Sequence, residues 1–169
     1  LTEGGSHFVT AMALAALSEN PVYTSLWDLK NEVEMGHIQL SRFQWTGDSI
    51  DLGSEQKILQ VPVDRGICCH VGGDIVFDSA GNLILSTGDD TTPFQSDGYV
   101  PLDERPDRNP AFDAQRTSAN TNDLRGKILR ITPKAGGGYT IPEGNLFQDS
   151  STLTRPEIYL MGLRNPFRI

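Results

Sequence analysis

The sequence has little cysteine and no long hydrophobic run. Only two of its 169 residues are cysteines, and Cys68 and Cys69 are adjacent, so they cannot form an ordinary long-range disulfide with each other. A strained vicinal disulfide, two free thiols and bridges to cysteines outside this chain all stay open. A cysteine-rich zinc site, a dinucleotide-binding glycine fingerprint and a P-loop are also missing from the sequence.

The chain also lacks a membrane-spanning segment and a basic cluster. Its most apolar stretch, residues 8–17 (FVTAMALAAL), is about half the roughly 20 residues that span a bilayer, and no Lys or Arg precedes it, so a signal peptide is unsupported. Lys and Arg total 14 against 22 Asp and Glu, which gives a net charge of −8. Because the apolar stretch is too short, we expect no membrane span. Because binding to phosphate backbones depends on clustered cations, we expect no nucleic-acid partner.

What the chain does contain is many turn residues, with 17 glycines and 10 prolines. Residues 1–36 form a divergent N-terminal segment whose Ala-rich part is compatible with a helix, and residues 37–169 carry strand patterns. Since the chain begins without Met and stops just after RNPFR, we expect it to be part of a longer protein.

Alternation of apolar and polar residues between turn signals predicts several short strands. The clearest unit is a hairpin at 73–88, GDIVFDSAGNLILSTG, with its turn at 78–82. The polar segment 89–125 has no periodicity, which is typical of a functional or a disordered loop. Hairpins without intervening helices predict an antiparallel all-β fold, with sandwich, barrel and propeller all open. The predicted strands lie at 38–43, 57–63, 75–77, 83–87, 126–132 and 157–161.

Three sets of polar residues are candidates for chemistry. His70 lies in a Gly-flanked loop before the hairpin, where it either accepts protons as a base or bonds loop backbone. Arg164 and Asn165 follow a predicted strand, where the guanidinium either receives anionic oxygens or pairs with a carboxylate. Asp89 and Asp90 follow another strand, where they either bind Ca2+ or cap a turn.

Four segments carry more specific motifs, in a fixed order along the chain. Together they resemble the soluble glucose dehydrogenase and sorbosone dehydrogenase family of quinoproteins, most closely its secreted actinobacterial-type members, from about residue 40 to the end of the chain. The segments are CCHVGGDIVFDSAGNLILSTGDDTTP (68–93), SANTNDLRGKILRI (118–131), YTIPEGNLF (139–147) and RPEIYLMGLRNPFRI (155–169).

The resemblance implies part of a six-bladed β-propeller built from four-stranded antiparallel blades, of which this chain supplies roughly two to three. It implies pyrroloquinoline quinone (PQQ) and Ca2+ as cofactors, a sugar substrate, an external electron acceptor and a secreted or periplasmic location. His70 takes the position of the base that removes the proton of the sugar C1 hydroxyl as hydride moves to PQQ. Arg164 takes the position of the cation that stabilises charge on the quinone oxygen, and Asn165 that of a quinone contact. No metal ligand is assigned.

One departure concerns the residue before His70. Well-known soluble glucose dehydrogenases have an Asp there that helps to orient the substrate, and this chain has Cys69. The sequence therefore leaves the sugar open, and an incomplete propeller with exposed strand edges is expected to be inactive or to associate. Two alternatives remain: a propeller binding module without cofactor, as in proteins related to the hedgehog-interacting family, and a metal-dependent lactonase.

Overall fold

A computed structural model describes residues 36–64, 69–92, 94, 98–148 and 151–169 of the chain. The predicted N-terminal segment, residues 1–36, lies outside these ranges apart from Gly36. Within them the regular structure is antiparallel strand, with two single-turn 3₁₀ helices at Pro110–Phe112 and Ala114–Arg116. The strands are β1 (Gly36–Trp45), β2 (Ile50–Val63), β3 (Ile75–Phe77), β4 (Leu83–Thr87), β5 (Lys127–Pro133), β6 (Tyr139–Thr140) and β7 (Ile158–Met161).

The first sheet is the long hairpin of β1 and β2. Its register runs from Gly36 opposite Val63 to Trp45 opposite Ile50, with two irregularities along the way. Both strands predicted in this region are confirmed, and β2 begins earlier than predicted. Its first four residues, 50–53, are exposed and are held by pairing with β1, whereas from Ser54 onward more and less buried residues alternate as in a half-buried strand.

The second sheet has the order β3-β4-β5-β6, and β7 also pairs with β5. Its first hairpin has the strand bounds that the sequence predicts. The turn forms because the Asp78 carboxylate accepts from the backbone N–H groups of Ala80 and Asn82 at 2.9 Å each, while Gly81 adopts a φ of +81°. The predicted strands at 126–132 and 157–161 appear as β5 and β7, each displaced by one residue at most.

The core lies between the two sheets and is wholly aliphatic. Leu and Ile side chains from both sheets, with Val61 from β2, are buried against one another, and this burial holds the β1–β2 hairpin against the larger sheet. The all-β class is therefore confirmed for the part of the chain that the structure describes, where no helix is long and apolar enough to cross a membrane. The core residues are Leu40, Leu59, Val61, Leu83, Leu85, Leu124, Leu129, Ile131 and Ile158.

The described part of the polar segment 89–125 combines exposed residues with deeply buried polar side chains. The carboxylates of Asp103 and Asp113 and the hydroxyl of Thr117 are buried. The two 3₁₀ turns are capped by side chains, since Asn109 accepts from the N–H of Ala111 and Asp113 from the N–H of Gln115. The described part of this segment thus places a layer of buried polar groups between β4 and β5.

Candidate active site

His70 and Asp89 form the central side-chain pair. His70 Nδ1 lies 2.9 Å from Asp89 Oδ1, and the two side chains are only 10% and 1% exposed. The same carboxylate oxygen accepts from the backbone N–H of Thr91 at 3.0 Å and from its hydroxyl at 2.9 Å, so its position is fixed. Because a carboxylate accepts the Nδ1 proton, Nε2 of His70 is left as the acceptor nitrogen. The pair therefore has the arrangement of an oriented general base.

The backbone around His70 is tightly constrained. Cys69 and His70 have positive φ values of 81° and 53°. Cys69 is disulfide-bonded, so of the alternatives that the sequence left open a free thiol is excluded for this residue. The carbonyl oxygen of His70 accepts from the N–H of Asp90 at 3.0 Å. It also lies against Gly88, where any Cβ would overlap it. The position of His70 is thus fixed twice, by the contact of its imidazole with Asp89 and by the contacts of its main-chain carbonyl.

Arg164 and Asn165 meet the same loop from the end of β7. The N–H of Asp89 donates to the carbonyl oxygen of Arg164 at 2.8 Å. One residue earlier, the N–H of Leu163 donates to Gly126 O at 3.0 Å, and Gly126 N in turn donates to Gly88 O at 2.7 Å. The structure therefore brings the His70–Asp89 pair and the RNP motif together on one network of main-chain hydrogen bonds.

The side chains of Arg164 and Asn165 each have polar atoms without a partner among the described residues. Arg164 is exposed, and its guanidinium has no hydrogen bond or ion pair within the described ranges. The alternative reading, a loop arginine paired with a carboxylate, is therefore not what the structure shows for these ranges. The side-chain oxygen Oδ1 of Asn165 is buried and has no hydrogen-bond partner in the part of the chain that the structure describes. Such an acceptor is expected to bind a donor from outside the chain.

Asp89 and Asp90 are adjacent and have separate partners. Asp90 Oδ2 accepts from Arg125 Nη1 at 2.9 Å and from the N–H of Asp64 at 2.6 Å. Burial raises the pKa of the Asp90 carboxyl, and the hydrogen bonds from Asp64 and Arg125 oppose that shift. Asp89 does cap the N–H of Thr91, one of the two predicted roles. No group of three or more His, Cys, Asp or Glu side chains in the described ranges is placed to hold a metal ion.

Sequence reasoning missed the role of Asp89 beside His70. The available signal was its position just after the predicted strand 83–87, at the end of the sheet where His70 also lies. It also missed Arg125 and Lys127. Arg125 holds Asp90 and, through Nη2, the Asp123 carboxylate at 2.6 Å, so two carboxylates surround one buried cation.

Comparison with known proteins identifies the family. The family model described as Glucose / Sorbosone dehydrogenase matches residues 10–169. The HIPL2 protein of Arabidopsis thaliana is 35% identical over 109 residues, which cover 57% of this chain and 13% of that protein. The chain thus spans a small part of this curated relative.

Solved structures support the same assignment at the level of the fold. Two structures named glucose dehydrogenase superpose with a TM-score of 0.53 at 23% identity. In each case the match covers 80% of this chain, and it covers 32% of one solved chain and 31% of the other. This likeness confirms the predicted fold, which is part of an all-β propeller.

Proposed function

The chain belongs to the glucose/sorbosone dehydrogenase family, and we propose that the protein is a quinone-dependent oxidoreductase that oxidises the C1 hydroxyl of an aldose or a related sugar. The observation that carries the proposal is the buried His70–Asp89 pair, whose backbone is joined directly to that of Arg164. A base and a cation whose backbones are hydrogen-bonded to each other suit a reaction in which a hydroxyl loses its proton while negative charge develops nearby.

The unpaired groups of the site fit PQQ, a planar ortho-quinone with three carboxylates and a ring N–H. The guanidinium of Arg164 offers a planar fork of donors for carboxylate or carbonyl oxygens. The buried Oδ1 of Asn165 would accept a hydrogen bond from the ring N–H. When bound, PQQ supplies the two-electron acceptor for the hydride that leaves the sugar C1.

The chain's own residues then have distinct roles. His70 Nε2 receives the proton of the C1 hydroxyl as the C1–O bond becomes a carbonyl, a general-base contribution of about 100- to 10,000-fold. The Asp89 carboxylate accepts a hydrogen bond from the Nδ1–H of His70, which leaves Nε2 as the basic nitrogen. The same carboxylate stabilises the imidazolium that forms when Nε2 takes the proton. Arg164 would stabilise the negative charge that develops on the quinone oxygen when the quinone accepts the hydride.

The remaining features of the proposal rest on the family. We assign Ca2+ as a second cofactor, an external electron acceptor and a secreted or periplasmic location on that ground alone. The described residues contain no cluster of metal ligands, and no step above uses Ca2+. The sugar stays unspecified because Cys69 is disulfide-bonded and brings no carboxylate to the position before His70.

The test is reconstitution of the full-length protein with PQQ and Ca2+, followed by dye reduction with a panel of aldoses. We expect PQQ to bind and at least one aldose to be oxidised. His70→Ala should bind PQQ and lose turnover, whereas His37→Ala, a change in the exposed part of β1, should match the wild type. Failure of the complete protein to bind PQQ would overturn the proposal and favour the non-enzymatic binding module.

A further inference from the structure

Among the residues that the structure describes, Lys127 is the largest fully buried side chain, with no solvent exposure. Its Nζ donates to three backbone carbonyls, those of Thr117 at 2.8 Å, Ser118 at 3.0 Å and Arg125 at 2.7 Å. An ammonium has three N–H donors, so all of them are used. None of its acceptors is a carboxylate, and a buried charge held only by main-chain oxygens requires a specific compensation.

These carbonyls lie at the two ends of one loop. The loop 117–126 leads into β5, with Thr117 and Ser118 at its start and Arg125 one residue before its end. The ammonium therefore closes the loop 117–126 on itself, much as a metal ion bound to carbonyl oxygens does. Because each carbonyl is the acceptor of a charged donor, these hydrogen bonds are stronger than neutral ones.

The closed loop touches both halves of the candidate active site. The carbonyl of Ser118, already bound to Lys127, also accepts from the N–H of Gly162 at 3.0 Å, close to Arg164. At the other end of the loop, Gly126 N donates to Gly88 O at 2.7 Å, beside Asp89. A Cβ at Gly126 would overlap Ser118 and come within 2.6 Å of the Leu163 carbonyl, so these contacts are closely packed.

We propose that Lys127 is a positioning residue of this active site, whose buried ammonium acts as an internal cation that sets the loop 117–126 and thereby the spacing between the His70–Asp89 pair and Arg164. The catalytic consequence rests on the proposed function, whereas the positional consequence does not. The Lys127 ammonium bonds Thr117, Ser118 and Arg125 and not His70 or Arg164, so its effect on the site passes through Ser118 and Gly126.

The charges around Lys127 support this role. Burial lowers the pKa of the ammonium to about 8, with nearby Asp123 opposing the shift and Arg125 adding to it. The amine is thus largely protonated at neutral pH. Loss of its proton leaves two N–H donors for three carbonyls, so at least one of the loop contacts must open.

The first experiment compares Lys127→Met with Lys134→Met in the full-length protein, Lys134 being exposed just beyond β5. In Lys127→Met the amide resonances of Asp89 and Gly162 should shift, because each reports a main-chain bond beside the loop. Turnover should fall on the order of 100-fold, the cost of misplacing reacting groups by about 1 Å, with KM for the sugar changing far less. Lys134→Met should leave the amides and turnover unchanged.

A second experiment keeps the inference testable where Lys127→Met folds poorly. In Lys127→Ala, added ethylammonium should enter the vacated space and restore the amide shifts and turnover, whereas ethanol should not. In the wild type, the amide shifts of Asp89 and Gly162 should follow the titration of the Lys127 ammonium. Unchanged amide shifts, both in folded Lys127→Met and through the wild-type titration, would overturn the role and leave Lys127 as a stabilising residue. Since amide shifts need no turnover, failure of the proposed enzyme activity is distinguished from failure of this inference.

Discussion

The backbone N–H of Asp89 donates to the carbonyl oxygen of Arg164 at 2.8 Å. This bond joins the residue whose carboxylate holds the His70 imidazole to the residue that carries the exposed guanidinium. The link uses main-chain atoms alone, so it does not engage the side chain of either residue. Side-chain substitutions at the two positions therefore test the proposed reaction, whereas changes at the neighbouring glycines test the backbone packing that holds the two residues together.

The first prediction concerns the carboxylate beside His70. Asp89→Asn should lower turnover by about 100-fold or more, because an amide does not enforce the Nδ1-protonated tautomer that leaves Nε2 basic. PQQ affinity should stay within a few-fold of the wild type, since Asp89 is assigned no quinone contact. The measurements are kcat by dye reduction and PQQ binding by titration.

The matched control for Asp89→Asn is Asp48→Asn in the β1–β2 turn, where the carboxylate accepts from Thr46 and Ser49 and is remote from the site. Wild-type turnover is expected there. Wild-type turnover in Asp89→Asn, with His70→Ala inactive, would show that His70 works without its carboxylate partner.

The second prediction concerns the close approach at Gly88. In Gly88→Ala the new Cβ would overlap the carbonyl of His70, so the loop must move or the strand end must distort. We expect a loss of about 3 kcal/mol in the free energy of unfolding, at the upper end for overpacked sites. Urea unfolding measures it, with Gly136→Ala as control because a Cβ there meets nothing within 4 Å. Equal stability of the two variants would contradict this packing.

Local sequence patterns predicted the sheet well. The hairpin of β3 and β4 has the predicted bounds, since its turn is encoded by neighbours: Asp78 caps the N–H groups of Ala80 and Asn82. The start of β2 was predicted too late, because residues 50–53 are all exposed and the alternation in burial begins only at Ser54, and weakly, with half-buried residues. Pairing with β1 keeps them extended, and a partner strand leaves no mark on the periodicity of a single segment.

The site was predictable only in part, for a related reason. Family motifs indicated His70 and Arg164, whereas the contacts that position them join residues far apart in the chain. Asp89 looked like a turn cap or a metal ligand, and Lys127 looked like an ordinary strand residue. Nothing in the order of residues shows that the segment 117–125 folds back to surround that ammonium with carbonyls.

The third prediction concerns Glu157 in the polar cluster beside β6 and β7. Burial acts to raise the pKa of this carboxyl, but hydrogen bonds from Arg155 and Tyr139 outweigh burial and lower it. A depressed folded-state pKa stabilises the protein above the unfolded value of about 4.3, and that stability is lost as pH falls through the folded pKa. Tyr139→Phe removes the 2.6 Å hydrogen bond and should cost about 1.5–3 kcal/mol near neutral pH.

The difference between Tyr139→Phe and the wild type should shrink below about pH 4, because the protonated carboxyl no longer needs its donors. Urea unfolding from pH 3 to pH 7 measures this. Tyr159→Phe is the control, since that ring stacks on the Arg130 guanidinium and Phe preserves the stacking surface. A loss of stability in Tyr139→Phe that does not vary with pH would assign the effect to packing of the phenol and not to the Glu157 charge.

The last prediction concerns Lys127 and alkaline pH. Its folded-state pKa is lowered to about 8, below the value of about 10.4 for an unfolded lysine, so between these values the unfolded chain binds more protons. Stability must then rise with pH across this window, by up to about 1.4 kcal/mol per pH unit from this one group. Lys127→Met should lack that contribution, and Lys134→Met should retain it. Urea unfolding between pH 7 and 10.5 gives the slopes, and equal slopes in wild type and Lys127→Met would contradict the prediction.

The same titration should affect turnover in the opposite direction. Deprotonation relieves the burial of a charge, which favours the folded state, but it also removes one of three donors from the loop carbonyls. Wild-type turnover should therefore fall above about pH 8 while the free energy of unfolding rises. General alkaline unfolding lowers both quantities together, so the opposed signs identify Lys127 as the titrating group. Lys134→Met should show the same opposed trends, and Lys127→Met, already slow at neutral pH, should show neither.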